Sequence, residues 1–261
     1  MHIQILASGS KGNCALLRSG ENHVLLDAGL SIREIEARLE QIRVSPGRIE
    51  HIVLTHGHLD HARSAGGFAK KTKARVHCAL GMMQNTSIKR APSLNTLVID
   101  GSAELLDARG QSPITLNTVR VPHDADPTVA LRLEARGRVL VMLTDMGRTD
   151  DNIAERLRGA HVLIMEFNHD AEMLRKGPYT PALKRRVAGP GGHLSNVQAA
   201  WMLKRMLGPQ LHTLVLSHLS EKNNTPELAL GAARQVLRQA GREDVQVLIA
   251  EQHQAGPNLR V

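Results

Sequence analysis

The stretch Thr55-His56-Gly57-His58-Leu59-Asp60-His61 constrains this chain more than any other part of it. It carries the pattern H-x-H-x-D-H and directly follows the apolar run Ile52-Val53-Leu54. A strand that ends by delivering three imidazoles and a carboxylate within six positions has few uses other than holding metal. His56 and His58 lie two apart, so an extended backbone points both rings the same way. Asp60 and His61, just past the turn, can face a second ion a few ångströms away. Neutral imidazole with carboxylate suits zinc, manganese or iron rather than calcium or magnesium alone. A solvated His-rich loop is the bland competitor, but composition alone rarely makes this spacing.

Other ligands must be brought to that strand end by a fold, and 261 residues suffice for one large α/β domain or two small ones. Hydrophobic residues make up 42% and aromatics only 2%, so the core is built from Leu, Val, Ile, Ala and Met. So few aromatics argue against a surface that binds single strands mainly by stacking bases on rings. Cys14 and Cys78, both in apolar surroundings, read as reduced core thiols of a cytoplasmic protein rather than a disulfide. The opening Met1-His2-Ile3-Gln4-Ile5-Leu6 has no basic region before it, and no run is long enough for a signal peptide or spanning helix. The expected location is the cytoplasm, with no membrane partner. Lys plus Arg total 33 against 25 Asp plus Glu, a formal net charge of +8. That balance favours polyanionic partners, nucleic acid first.

The chain shows no repeat, low-complexity tract or dividing linker, so residues 1–261 read as one domain. Strands are expected at Ile3-Leu6, Ala15-Leu17 and His23-Asp27, then a helix over Ile32-Leu39 with Ser31 as its N-cap. After the metal loop, Ala62 to Lys71 has helical spacing and Ala74-Cys78 reads as a strand. Apolar runs at Thr115-Val121, Val129-Leu133 and Val139-Leu143 predict antiparallel strands, the last two joined across Arg136-Gly137-Arg138. From Asp150 onward helices alternate with strands at Val162-Met165, Thr213-Leu216 and Val245-Ile249. Antiparallel β-rich halves flanked by helices imply two sheets packed face to face with helices outside.

With these motifs in place, the chain resembles the metallo-β-lactamase superfamily, and within it the YycJ (WalJ) group of single-domain hydrolases described as 5′ exonucleases. The resemblance rests on Ala7-Ser8-Gly9-Ser10, Gly12-Asn13-Cys14, Leu26-Asp27-Ala28-Gly29, the H-x-H-x-D-H loop, His123-Asp124 and Thr144-Asp145. It continues through Asn168-His169-Asp170, Gly192-His193-Leu194-Ser195-Asn196 and Ser217-His218-Leu219-Ser220 to Glu221-Lys222-Asn223-Asn224. It implies an α/β fold, a four-layer αββα sandwich with a dinuclear metal site at one edge of the sheets.

The same resemblance implies the rest of the ligand set. The first ion would take His56, His58 and His123, and the second Asp60, His61 and His218, with Asp145 bridging. His169 competes for the last of these places and is assigned, with Asp27, to a supporting position that orients ligands. The implied cofactors are two divalent ions, zinc or manganese, with iron also accommodated. Asp60 can accept the proton of the attacking water or align it. His193 resembles the histidine that superfamily phosphodiesterases of the ribonuclease Z kind use to protonate the leaving oxygen, and Glu166 stands where a glutamate orients it.

For substrate phosphate the candidates are Ser8, Ser10 and Asn13 in the Gly-rich turn, Lys184 and Arg185 in a basic cluster, and Ser195 at a helix start. The reading is a dinuclear metal-dependent phosphodiesterase, a 5′-to-3′ exonuclease acting on DNA in preference to RNA. The alternative is a small-molecule phosphodiesterase, for example on cyclic phosphates. Thioesterase or β-lactamase chemistry has no need of a His193–Glu166 pair, and a metal-free binding module would have lost ligands.

Overall fold

The apolar runs pair into two seven-stranded sheets in the computed structural model, which covers residues Met1–Val261. The first sheet contains β1 (His2–Ala7), β2 (Cys14–Ser19), β3 (Asn22–Leu26), β4 (His51–Val53), β5 (Arg75–Ala79) and β6 (Leu94–Leu97). The second contains β7 (Ser102–Leu105), β8 (Ile114–Arg120), β9 (Val129–Ala135), β10 (Arg138–Leu143), β11 (Val162–Glu166), β12 (Thr213–Ser217) and β13 (Gln246–Ile249). The short β14 (Leu259–Arg260) returns to pair with β1. The helices are α1 (Ile32–Gln41), α2 (Leu59–Ala62), α3 (Ala65–Thr72), α4 (Asp151–Arg156), α5 (Ala171–Lys176), α6 (Pro181–Ala188), α7 (Asn196–Met206) and α8 (Pro226–Gln239).

Each sheet is antiparallel on one side and parallel on the other. β14, β1, β2 and β3 pair antiparallel, whereas β3 to β6 run parallel. In the second sheet β7 to β10 are antiparallel and β10 to β13 parallel. The expectation of antiparallel halves therefore holds for only part of each sheet. Its reason for failing elsewhere is mechanical: a helix between two strands carries the chain back over the sheet, so the next strand enters in the same direction. The β9–β10 hairpin is tighter than expected, because Ala135 pairs directly with Arg138. Its turn is Arg136-Gly137 alone, both residues at positive φ (52° and 70°), which matches the strand twist.

Three apolar seams make the four layers. Ile35, Leu39 and Phe68 of α1 and α3 cover the outer face of the first sheet. Ile3, Leu17, Val24, Leu131, Ile164 and Val215 fill the space between the sheets. Leu157, Met202, Leu203, Ala233 and Leu237 cover the outer face of the second. The molecule is thus an αββα sandwich. Ser31 caps α1 as its sequence implies, in a reciprocal capping box with Glu34. The helix expected over Ala62 to Lys71 is instead split into α2 and α3, so Asp60 and His61 belong to the single turn of α2 with His58 at its N-cap.

That split is imposed by ties to the first sheet. The Asp60 carbonyl accepts from Asn13 N–H at 2.7 Å, and the His61 carbonyl from Ala28 N–H at 2.7 Å. Gly29 passes so close that a Cβ there would stand 1.6 Å from the Asp60 carbonyl oxygen. Only glycine leaves room for the metal loop at this crossing.

Candidate metal centre

The candidate ligands converge because they leave the carboxyl ends of different strands, where open sheets place their ligand sites. Asp27 follows β3, the His56–His61 loop follows β4, and His123 follows β8. Asp145 follows β10, Glu166 ends β11 and His218 follows β12. Asp27, Asp145 and His218 all adopt left-handed backbone, with φ of 59°, 56° and 53°. Non-glycine residues in that region cost about 1–3 kcal/mol each and persist where surrounding structure over-determines them. Here the unusual turn swings each side chain from the strand end into the centre.

The rings of His56, His58 and His123 surround one point, with centroids 4.9–5.1 Å apart and near-perpendicular planes. Beside it lies a second cluster. His61 Nε2 is 3.6 Å from Asp60 Oδ2, and His218 Nε2 is 3.5 Å from the same oxygen. Asp145 stands between the clusters, its Oδ2 3.2 Å from His61 Nε2 and its Oδ1 3.5 Å from His218 Nε2 and 4.0 Å from His123 Nε2. Four ligands about 2.0–2.1 Å from one tetrahedral ion stand roughly 3.3 Å from each other, so these gaps are those of a chelate.

Two buried atoms test the fit directly. His56 Nε2 and Asp145 Oδ2 have no hydrogen-bond partner. A buried lone pair without a donor is costly, and a divalent cation satisfies it. Burial and then the neighbouring His61 push His56 well below the usual imidazole range, which keeps its nitrogen available. Asp145 is buried, which alone would raise its pKa, but His218 and His61 hold it ionised.

Supporting contacts set the direction of each ring. His61 Nδ1 donates to Asp27 Oδ2 at 2.7 Å, leaving Nε2 facing the cluster. Asp27 Oδ1 accepts from the Thr55 N–H at 2.8 Å, so one carboxylate fixes both ends of the metal loop. His123 Nδ1 donates to the Gly192 carbonyl at 2.9 Å. Ser8 Oγ accepts the His218 N–H at 2.8 Å, and the Asn168 amide lies 3.1 Å from His218 Nδ1. Glu166 is fully buried, with Oε1 accepting from Met146 N–H and Oε2 accepting from His193 Nδ1 at 3.1 Å. Burial works against a charge on His193, yet the bond to Glu166 and its carboxylate, with Asp145 and Asp60, raise the ring to about 9.

A cavity of about 250 Å³ opens over both clusters. Ser10, His58, Asp60, His123, Asp145, His193 and His218 reach it. Several expected phosphate contacts do not. Ser8 and Asn13 are buried and spent on the scaffold, Asn13 bonding Gly9 and standing 2.9 Å from His61 Nε2. Ser195 caps α7 through a reciprocal pair with Gln198. Lys184 donates to the Arg175 carbonyl at 2.8 Å, and neither it nor Arg185 lines the cavity. His169 is buried beside Asn168 and enters neither ligand cluster, and burial lowers it to about 4.

The structure also brings in residues to which sequence reasoning gave no role. Asp124 and Asn168 line the cavity, each next to a histidine (His123 and His169) in its motif. Thr55, whose hydroxyl lies 3.0 Å from Asp27 Oδ2, carries no signal in sequence beyond its place at the start of the loop. Arg186, by contrast, belongs with Lys184 and Arg185 to the basic cluster expected to track phosphate; it is the member that lines the cavity, and only the helical period of α6 distinguishes it from the other two.

The profile of the β-lactamase superfamily domain matches residues 22–219. An exodeoxyribonuclease YycJ of Bacillus anthracis is 31% identical over 244 residues, covering 92% of this chain and 90% of that one. The chain belongs to the metallo-β-lactamase superfamily, in the family of YycJ and WalJ. An exodeoxyribonuclease WalJ of Streptococcus pneumoniae is 34% identical over 229 residues, covering 86% of this chain and 84% of that one. Zinc-bound PqqB from Methylobacterium extorquens shares the fold with a TM-score of 0.71 at 18% identity, each chain covered in full. The short form of human tRNase Z does so with a TM-score of 0.63 at 20% identity, covering 98% of this chain and 99% of that one. With family, fold and ligand chemistry in agreement, this YycJ/WalJ-family member is a metal-dependent hydrolase.

Proposed function

We propose that this chain, acting as one unit over residues 1–261, is a dinuclear 5′-to-3′ exonuclease that hydrolyses DNA in the cytoplasm. The observation that carries the reading is His193. It is presented to the cavity beside two ligand clusters that share Asp145, and it is braced by a buried Glu166. Zinc or manganese would be held by His56, His58 and His123 on one side and by Asp60, His61 and His218 on the other. Such a pair of ions would acidify a water and draw charge from the phosphoryl oxygens.

The chain's own residues supply the rest. Asp60, at the rim of the cavity, takes or aligns the water's proton. His193 gives Nδ1–H to Glu166, so its Nε2 faces the cavity carrying the proton that the leaving oxygen needs. The YycJ and WalJ relatives, named exodeoxyribonucleases, support DNA as the polymer, and the net charge of +8 favours a polyanion. The buried, unpaired thiols of Cys14 and Cys78 fit a reducing compartment.

One observation favours the smaller substrate: the cavity, at about 250 Å³, falls below the roughly 300–1,000 Å³ of ordinary ligand sites. A cyclic or other small phosphodiester would fill it. The deciding experiment is digestion of 5′-labelled and 3′-labelled DNA with added Mn²⁺. Release of the 5′ label first as a mononucleotide, lost in His58→Ala, supports the exonuclease. Intact DNA alongside cleavage of a cyclic phosphodiester hands the site to the small-molecule reading.

A further inference from the structure

Helix α6 has no buried residue, although Leu183 and Val187 stand at the i, i+4 spacing that normally seats a helix on a core. Its stripe faces the metal cavity instead. Tyr179, just before the helix, and Leu183, Arg186 and Val187 all line that cavity, and three of its four apolar lining residues come from this one segment. The helix is hung from the catalytic loop, since the Val187 carbonyl accepts the His193 N–H at 2.9 Å. Its stripe therefore has a fixed position relative to His193.

Arg186 sits at the junction of apolar ridge and ligands. Its Nε donates to Asp124 Oδ2 at 2.6 Å, while Asp124 Oδ1 lies 3.4 Å from His58 Nε2 and 3.5 Å from His123 Nε2. One carboxylate thus ties the guanidinium to two ligand rings through Nε, leaving the terminal nitrogens as donors for an oxyanion. Lys222 Nζ stands over one face of the Tyr179 ring, 5.8 Å from its centroid. The result is a short apolar ledge beside Arg186 and Lys222 that opens onto the candidate metal centre.

We propose that Tyr179, Leu183 and Val187 form the seat for the nucleobase of the terminal nucleotide, with Arg186 holding the phosphate next to it. This rests on the nuclease reading and adds to it the group by which the enzyme grips its end. The Tyr179 ring meets the base on the face opposite Lys222, and any base is accepted because each has a π-face. Arg186, held by Asp124, keeps the adjoining phosphate in register with His193.

The test compares release of the terminal nucleotide from DNA ending in thymidine with DNA ending in an abasic tetrahydrofuran residue. Wild type, Tyr179→Ala, Tyr179→Phe and Arg186→Ala are assayed, with bis(p-nitrophenyl) phosphate as a base-free control. A stacked base is expected to favour the thymidine end by roughly 5- to 100-fold in kcat/KM, chiefly through KM. Tyr179→Ala should lose most of that preference yet match wild type on the abasic end, while Tyr179→Phe retains it. Arg186→Ala should weaken both ends equally. Equal wild-type rates on both ends, or a Tyr179→Ala loss that is the same on both, would overturn the subsite and leave the nuclease intact. Hydrolysis of the control ester with no cleavage of any DNA would remove the nuclease reading and the subsite together.

Discussion

Asp145 concentrates the chemistry of the centre in one side chain. It is buried, left-handed in backbone, and within 4.0 Å of His61, His123, His193 and His218. The H-x-H-x-D-H loop stands out as a candidate ligand set because its members are adjacent in sequence; Asp145 and His218 join that set only through family resemblance, since nothing local marks a strand-end carboxylate or imidazole as a ligand. Supporting residues were harder still. Ser8 and Asn13 looked like phosphate contacts because a polar Gly-rich turn has the same composition whether it faces solvent or clamps a neighbour. Asp27 gives a direct test of ring orientation. Asp27→Asn keeps shape and tolerates the left-handed backbone, yet it removes the charge that orients His61. Metal affinity should fall about 10- to 100-fold, read by competition with a chromophoric chelator, with far-UV circular dichroism unchanged. Unchanged affinity would mean that Asp27 serves only the loop. For His193→Ala, kcat should drop by roughly 10²–10⁴ with metal content intact. Loss of metal in that variant would make His193 a ligand rather than an acid.

At the level of elements, apolar periodicity found most strands, and the capping signal at Ser31 placed α1 correctly. Boundaries failed where tertiary ties override local spacing, as at the break between α2 and α3. Gly29 leaves the room that this crossing needs, so Gly29→Ala should push the Asp60–His61 turn outward. Metal content should fall and the unfolding midpoint in urea should drop, because the added Cβ meets backbone that cannot swing aside; full metal loading with an unchanged midpoint would show that the crossing relaxes without moving ligands. The parallel pair β4–β5 carries a different liability. His51 Nδ1 lies 2.8 Å from His77 Nε2, and His51 Nε2 lies 2.8 Å from the Leu106 carbonyl, all well inside the sheet. Burial first, then the His51 and Arg75 charges, lower His77 to about 3. A histidine lowered on folding contributes stability that is complete above its ordinary value near 6.5 and is lost as pH falls from there toward 3. Between pH 7.5 and pH 5 this group should remove about 2 kcal/mol. Urea melts at both values should show wild type losing that much more than His77→Gln, and equal losses would place the acid sensitivity elsewhere.

On the scale of the whole molecule, two half-antiparallel, half-parallel sheets bring strand ends from both halves to one edge, and no single stretch of sequence contains the site. Composition had pointed to an anionic partner through the +8 charge, but not to where that charge acts. Lys184 and Arg185 turn away from the cavity, so they would attract DNA at longer range. Lys184→Ala/Arg185→Ala should reduce the salt dependence of DNA binding, seen as a shallower slope of log affinity against log salt, with kcat unchanged. An unchanged slope would put the DNA path on another face. The proposed centre depends on two ion seats sharing Asp145. Its most direct test is the metal-to-protein ratio of Mn²⁺- or Zn²⁺-loaded protein by elemental analysis, for wild type, His58→Ala and His218→Ala. Two ions in wild type, one in each variant, and hydrolysis only in wild type are the expected results. A single ion in wild type that persists in His218→Ala with full activity would contradict a dinuclear centre.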